Sequence, residues 1–300
     1  MEINNYNDKD SINVCIAGLG LIGGSLAKAL KARCPYINRI IAIDKNETHI
    51  EQALQDNIIS EGYFFPGTFL IDYDVVFIST PVSAACAAIN EICKYAKDGC
   101  LITDTASTKD TIMKFCNNLD LIKQKKICFI GGHPMAGTEK SGYNAGFASL
   151  FENAYYVVCL PENVDKSKYV LLKQIINDIG AKPFEIDSAM HDVVASAVSH
   201  VPHVLAAALV HLAKKYDTGE GYIKALAAGG FKDMTRIASS NPDMWENICM
   251  ENSSNIACMI DDLICLLESV KKDITTHSNC KVNDFFKTAK KYRDDSLIIP

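Results

Sequence analysis

Arginine is the scarcest charged residue in this chain, at four positions only: 33, 39, 236 and 293. Basic charge as a whole is also short, thirty Lys and Arg against thirty-six Asp and Glu, for a formal net charge of −6. Proteins that grip nucleic acid concentrate Lys and Arg against phosphate, so no nucleic-acid partner is expected. The densest basic run, Lys123-Gln124-Lys125-Lys126, reads as a solvated turn before a strand. Residues 1–10 are polar and lack an apolar segment, which speaks against a secretory signal. No uninterrupted apolar run approaches the ~20 residues of a membrane span, so no membrane association is expected. Twelve cysteines are present but none forms a CxxC pair, and most sit in apolar runs, such as Val14-Cys15-Ile16 and Ile127-Cys128-Phe129. Scattered thiols of this kind act as small hydrophobes in a reducing compartment, so a cytoplasmic location is expected and a disulfide framework is not. Internal repeats and low-complexity tracts are missing too.

What the chain does have is a core. Three hundred residues, 48% hydrophobic and 22% charged, suffice for one large or two ordinary domains. Short β-rich runs near 12–17, 39–43, 74–79, 100–103, 127–130, 155–159 and 183–186 alternate with helical patterns near 22–33, 46–56, 83–96, 108–117 and 166–179. Alternation of this kind predicts a parallel sheet covered by helices on both faces. From Ser188 onward only helical patterns remain, near 188–215, 220–228, 232–239, 242–271 and 279–293. Asn241 and Pro242 supply a cap and a first-turn proline for the fourth of these. The expected fold is therefore an α/β Rossmann-type domain over 1–187, followed by an all-helical domain over 188–300. The helical part carries more apolar surface than so few helices can cover, which predicts a homodimer built on it.

Gly18-Leu19-Gly20-Leu21-Ile22-Gly23 fits the GxGxxG pattern, follows the first strand and opens the first helix. In that context Gly18 permits the tight turn, Gly20 lets the backbone approach a pyrophosphate, and Gly23 lets helix and strand pack closely. The helix N-terminus at Leu21, Ile22 and Gly23 then offers free N–H groups and a positive dipole end to phosphate. Asp44 ends the second strand, where a carboxylate accepts hydrogen bonds from ribose hydroxyls and repels the extra phosphate of NADP. NAD is thus the expected cofactor. Thr80-Pro81-Val82 follows the third strand at the same edge of the sheet and joins the candidate cofactor residues.

Two further stretches exceed a generic dinucleotide domain: Gly131-Gly132-His133-Pro134-Met135-Ala136-Gly137-Thr138-Glu139-Lys140-Ser141-Gly142 and Gly229-Gly230-Phe231-Lys232-Asp233-Met234-Thr235-Arg236-Ile237-Ala238. The first begins just past a strand, which puts His133 at the cofactor edge, and a histidine is a natural base near neutral pH. Arg236 stands out in a chain that otherwise uses Lys, as if a planar, bidentate fork for a carboxylate were needed. Gly229-Gly230 predicts a helix break that leaves Arg236 near a helix start. Ser107, followed by Asp110, reads locally as a capping box. His200 and His203, one turn apart, share a helix face with no acidic or thiolate ligand at metal spacing, so no metal is expected.

Together with Gly18–Ser25 and Ser199-His200-Val201-Pro202-His203, these stretches resemble the prephenate dehydrogenase family over residues 12–260. The resemblance implies NAD-dependent oxidative decarboxylation of prephenate to 4-hydroxyphenylpyruvate and carbon dioxide, a step of tyrosine biosynthesis. By it, His133 is the catalytic base, Ser107 sits beside the reacting hydroxyl, Arg236 binds a substrate carboxylate, and His203, Glu139 and Trp245 line the substrate site. Arogenate dehydrogenase, with the same fold and an amino group on the substrate side chain, is the nearest alternative. Another Rossmann-plus-helical reductase and a non-catalytic NAD-binding protein are the more distant ones.

Overall fold

Alternate residues along the strands face opposite sides, and in this chain both sides are apolar, so the sheet must be covered twice. The structure, a computed structural model, describes residues 11–297; the polar segment 1–10, read above as no signal, lies outside them. Eight strands form one sheet: β1 (Ile12–Ala17), β2 (Ile37–Ile43), β3 (Glu61–Tyr63), β4 (Val75–Ile78), β5 (Leu101–Asp104), β6 (Cys128–Pro134), β7 (Tyr155–Cys159) and β8 (Lys182–Glu185). Their order is β3-β2-β1-β4-β5-β6-β7-β8. One side of the sheet sends Val14, Ile16, Phe77 and Val158 into a core with Leu26 and Leu30 of α1 (Leu21–Arg33) and Leu172 and Ile175 of α6 (Lys166–Asp178). The other sends Cys15, Ile41, Val76 and Ile102 against Ile89 and Cys93 of α3 (Val82–Tyr95) and Ile112 and Cys116 of α4 (Asp110–Asn118). The remaining helices of this half are α2 (Glu47–Gln55) and α5 (Asp120–Gln124).

Three details differ from the sequence expectation. The sheet is parallel except between β6 and β7, which pair antiparallel from Gly131–Cys159 to Pro134–Tyr156. Between those strands the chain forms a short 3₁₀ turn, Tyr143–Ala145, and no crossover helix; a parallel return needs such a crossover, so β7 comes back the other way. β6 itself runs on through Gly131-Gly132-His133-Pro134, four residues past the expected end, because β7 supplies the pairing that β5 no longer gives. The short edge strand β3 carries no alternating pattern long enough to be seen in sequence.

Beyond β8 the chain is helical. Asp187 caps α7 (Ser188–Ala195) through the N–H groups of Ala189 and Met190. A π-helical turn, Ser196–His200, joins it to α8 (Val201–Lys215). Pro202 lacks an N–H and its ring crowds the preceding turn, and the wide π turn absorbs that defect. By length and composition the joined run 188–215 could cross a bilayer, as the residue-by-residue reading did not anticipate. His191, Asp192, Ser196 and His200 interrupt it, and all four are buried. Then come α9 (Tyr222–Leu226), α10 (Gly229–Thr235) and α11 (Pro242–Glu251), the last capped by Asn241 as expected. The single helix expected over 242–271 is two: Asn252 leaves helical geometry, and α12 (Ser253–Thr275) follows. The Asn252 amide donates to the carbonyl of Asp192 and the hydroxyl of Ser196, a use of side-chain hydrogen bonds that local sequence does not reveal.

The chain divides into two compact units, the first ending at Ser253 and the second beginning at Ser254. The second holds α12 and α13 (Asn279–Tyr292), joined by a turn in which His277 adopts a positive φ.

Candidate active site

The turn from β1 into α1 closes only with glycine. Gly18 has a φ of +101°, and a Cβ there would lie 2.5 Å from the carbonyl oxygen of Ser79. A Cβ on Gly23 would lie 1.8 Å from the carbonyl oxygen of Gly18. At Gly20, by contrast, a Cβ would meet nothing within 4 Å. α1 therefore begins beneath open space, with no side-chain cap and no acidic residue in its first turn. The N–H groups of Leu21, Ile22 and Gly23 point that way without intrahelical partners. Asp44, at the end of β2, accepts the N–H groups of Leu19 and Asn46, which holds its carboxylate beside the glycine turn. Thr80 lies across from it, its hydroxyl buried with no partner among the described residues; Pro81 follows and Val82 opens α3. An open phosphate-sized cradle, an uncapped helix start and an orphaned hydroxyl are what a dinucleotide would fill.

His133 lies on β6 at the same carboxyl edge. Gly132 before it is a close-approach glycine: a Cβ there would lie 2.5 Å from the carbonyl oxygen of Asp104 on β5. The Asp104 carboxylate accepts the N–H groups of Gly132 and Ala106 and pairs with Lys109, both side chains fully buried. This buried ion pair fastens β5, β6 and the loop bearing Ser107 to one another. His133 Nδ1 lies 2.9 Å from His191 Nε2, and His191 Nδ1 lies 2.8 Å from Asp192 Oδ1. Burial pushes the His133 pKa well below its ordinary value, and the neighbouring His191, Lys109 and His200 push the same way. Burial works against the Asp192 carboxylate. The His191 ring and the N–H groups of Asp110 and Lys109 outweigh it and hold that pKa below the usual carboxylate range.

The capping box expected at Ser107 and Asp110 does not form. α4 starts at Asp110 without a local side-chain cap. Asp192, from α7, accepts the N–H groups of Lys109 and Asp110 at 2.7 and 3.0 Å and caps the helix from across the fold. The Ser107 hydroxyl, half-buried, is left without a protein partner among the described residues and is free for a ligand.

A second group gathers around Trp245 on α11. The His203 ring stacks on it with centroids 3.7 Å apart, and the His200 ring meets it edge-on at 6.1 Å. His203 Nδ1 donates to the Ser199 carbonyl, while Trp245 Nε1 is buried without a partner among the described residues. Burial pushes the His200 pKa down to about 4 and lowers that of His203 as well; the nearby Arg236 adds to the second shift. Arg236 Nη1 is 3.8 Å from Glu139 Oε2, and the arginine is two-thirds exposed. It follows the end of α10 and opens a 3₁₀ turn, Arg236–Ser239, so the expected helix start is only that single turn. A charge on His200 disfavours a positive His133 ring, so the two groups are electrostatically coupled. Sequence reasoning assigned no role to His191, Asp192, Asp104 or Lys109. The available signal was a His-Asp pair set inside an otherwise apolar helical run.

A parallel-dominated sheet with an uncapped glycine turn and a half-buried neutral histidine at its carboxyl edge defines the class: a dinucleotide-dependent dehydrogenase with a helical second half. Residues 26–185 match the nucleotide-binding domain of prephenate dehydrogenase, and residues 187–291 match its dimerization domain. The chain belongs to the prephenate dehydrogenase family, whose members are NAD-dependent oxidoreductases. It is 37% identical to prephenate dehydrogenase of Bacillus subtilis over 95% of this chain and 76% of that protein. The prephenate dehydrogenase of Lactococcus lactis is 35% identical over 93% and 76% respectively. Among solved structures, prephenate dehydrogenase from Aquifex aeolicus, bound to hydroxyphenyl propionate and NAD⁺, superposes with a TM-score of 0.86 at 30% identity, covering 95% of this chain and 98% of that one. Synechocystis arogenate dehydrogenase superposes with a TM-score of 0.77 at 25% identity, covering 94% and 99%.

Proposed function

We propose that this protein catalyses the NAD-dependent oxidative decarboxylation of prephenate to 4-hydroxyphenylpyruvate and carbon dioxide. The observation that carries the reading is His133: a neutral ring, tied through Nδ1 to His191, with no protein partner on Nε2 among the described residues. Gly18, Gly20, Gly23 and the N–H groups of Leu21 and Ile22 would hold the pyrophosphate, Asp44 the adenosine ribose, and Thr80, Pro81 and Val82 the nicotinamide half. Bound NAD supplies the hydride acceptor. His133 Nε2 takes the proton of the ring hydroxyl, and the Ser107 hydroxyl orients that oxygen. Arg236 binds a substrate carboxylate, and His203 and Trp245 line the substrate site. Once the ring carbinol is oxidised, loss of carbon dioxide restores aromaticity, so the second step asks little of the protein.

A second reading has one observation in its favour. Glu139 beside Arg236 offers a carboxylate that suits an ammonium group, which arogenate carries and prephenate does not. Initial rates of NADH formation with each substrate, and with NAD or NADP, decide between the two. Higher kcat/KM with prephenate and NAD is expected; turnover of arogenate alone would replace the first reading, and turnover of neither would remove both.

The functional division of the chain is taken at 187/188, where β8 has ended and α7 begins. The helical half acts as the dimerisation domain of a cytoplasmic homodimer. Exposed Val198, Leu212, Tyr222 and Leu226 support that assembly.

A further inference from the structure

A histidine base works only with its lone pair on the nitrogen that faces the substrate. We propose that His191 and Asp192 are positioning residues that hold His133 in the tautomer protonated at Nδ1, with the lone pair on Nε2. Asp192 is the anchored end of the pair. Its carboxylate accepts two backbone N–H groups, from Lys109 and Asp110, and is held ionised by them and by His191. An ionised carboxylate can only accept, so the His191 Nδ1 that lies 2.8 Å from it carries a proton. When that is the ring's only proton, His191 Nε2 is unprotonated. His133 Nδ1, 2.9 Å away, must donate to it. That leaves His133 Nε2 as the acceptor. A free neutral imidazole side chain prefers the opposite tautomer, protonated at Nε2, which could not accept the hydroxyl proton of the substrate.

The surroundings make this support necessary. Besides His191, the charged and titratable groups that face His133 are Lys109 from the start of α4 and His200 from the π turn, and both disfavour a positive ring. No carboxylate touches His133 directly among the described residues. The negative charge of Asp192 reaches it through His191 alone. When His133 Nε2 takes the substrate proton, its Nδ1 proton can shift to His191 Nε2 while His191 Nδ1–H stays on Asp192. The new positive charge is then shared next to a carboxylate, and no proton is gained or lost in the exchange. The geometry also divides labour within the pair. Asp192 caps α4, whereas His191 makes no other side-chain hydrogen bond among the described residues, so His191 can be altered with less damage to the fold.

The inference rests on His133 being the base, and the test is chosen to separate the two. Nitrogen-15 NMR of histidine-labelled protein without substrate reads the tautomer of His133 directly. The Nδ1–H form is expected in the unaltered chain, and the Nε2–H form in His191→Leu. A chain whose His133 is already Nε2–H would overturn the proposal whatever its activity. In kinetics, His191→Leu should lose roughly 10²-fold in kcat, the scale of a disabled general base, with KM for prephenate within about threefold. His191→Gln, whose amide oxygen can accept from His133 Nδ1, should recover to within about tenfold of the unaltered kcat and restore the Nδ1–H tautomer. Loss of kcat in both variants with the tautomer unchanged would mean that His191 merely packs, and would also overturn the proposal. Failure of every variant and of the unaltered chain to oxidise prephenate, with the tautomers as expected, would strike at the proposed substrate and leave the dyad intact.

Discussion

At the scale of single residues the proposed roles are a base, His133, and a clamp, Arg236. Removal of a general base costs about 10²–10⁴-fold in rate, so His133→Asn is expected to lower kcat by that range and leave KM for prephenate nearly unchanged. Arg236→Gln should do the reverse, a rise in KM of tens-fold with a smaller fall in kcat, because a charged carboxylate contact made before and during reaction is uniform binding. The sign of the pH dependence follows from the lowered His133 pKa. Protonation removes the lone pair, so the acid limb of kcat/KM should lie below the ordinary histidine value of ~6.5. It should vanish from the residual activity of His133→Asn. A normal kcat in that variant would disprove the assignment. At the other end of the site, Asp44→Ala removes the carboxylate beside the glycine turn. The NAD-over-NADP ratio of kcat/KM should fall by about tenfold, the scale of a charged hydrogen bond; an unchanged ratio would show that discrimination lies elsewhere.

Elements are held by caps whose origin differs. α6 is capped locally: Asp165 accepts the N–H groups of Ser167 and Lys168, and bonds from Ser167 lower its pKa. Asp165→Ala should cost about 1 kcal/mol and lower Tm by about 2–4 °C, with kcat untouched, as thermal denaturation and steady-state rates would show. α4 is capped from a distance by Asp192, so its start depends on the docking of α7. The same contrast explains how legible each was. α6, with its local cap, lies within a residue of the expected 166–179. Ser107 to Asp110 marked the right helix with the wrong cap, because the acceptor is Asp192, 82 residues beyond Asp110.

For the whole molecule, the expected outcome is a dimer. Exposed apolar side chains are dense in the helical part, Leu226 at 80% and Tyr216 at 68% among them, well beyond what scattered surface hydrophobes require. Light scattering at micromolar concentration should give twice the 32.9 kDa chain mass; a monomer mass would refute the assembly.

The sequence by itself determined the α/β half with its order of strands and helices, the glycine turn, and the helical remainder. Each rests on local rules: short apolar β-rich runs between helical patterns, the steric freedom of Gly18 and Gly23, and Pro242 behind Asn241. It also singled out His133 and Arg236 as candidates, because chemistry limits which side chains can take a proton or grip a carboxylate. Tertiary structure alone decided the antiparallel turn-back of β7, the break at Asn252, and the partners of His133. Those depend on groups that meet across long stretches of chain, His133 with His191 and Asn252 with Asp192. A buried polar group takes whatever partner the packing brings, and no local pattern names that partner in advance.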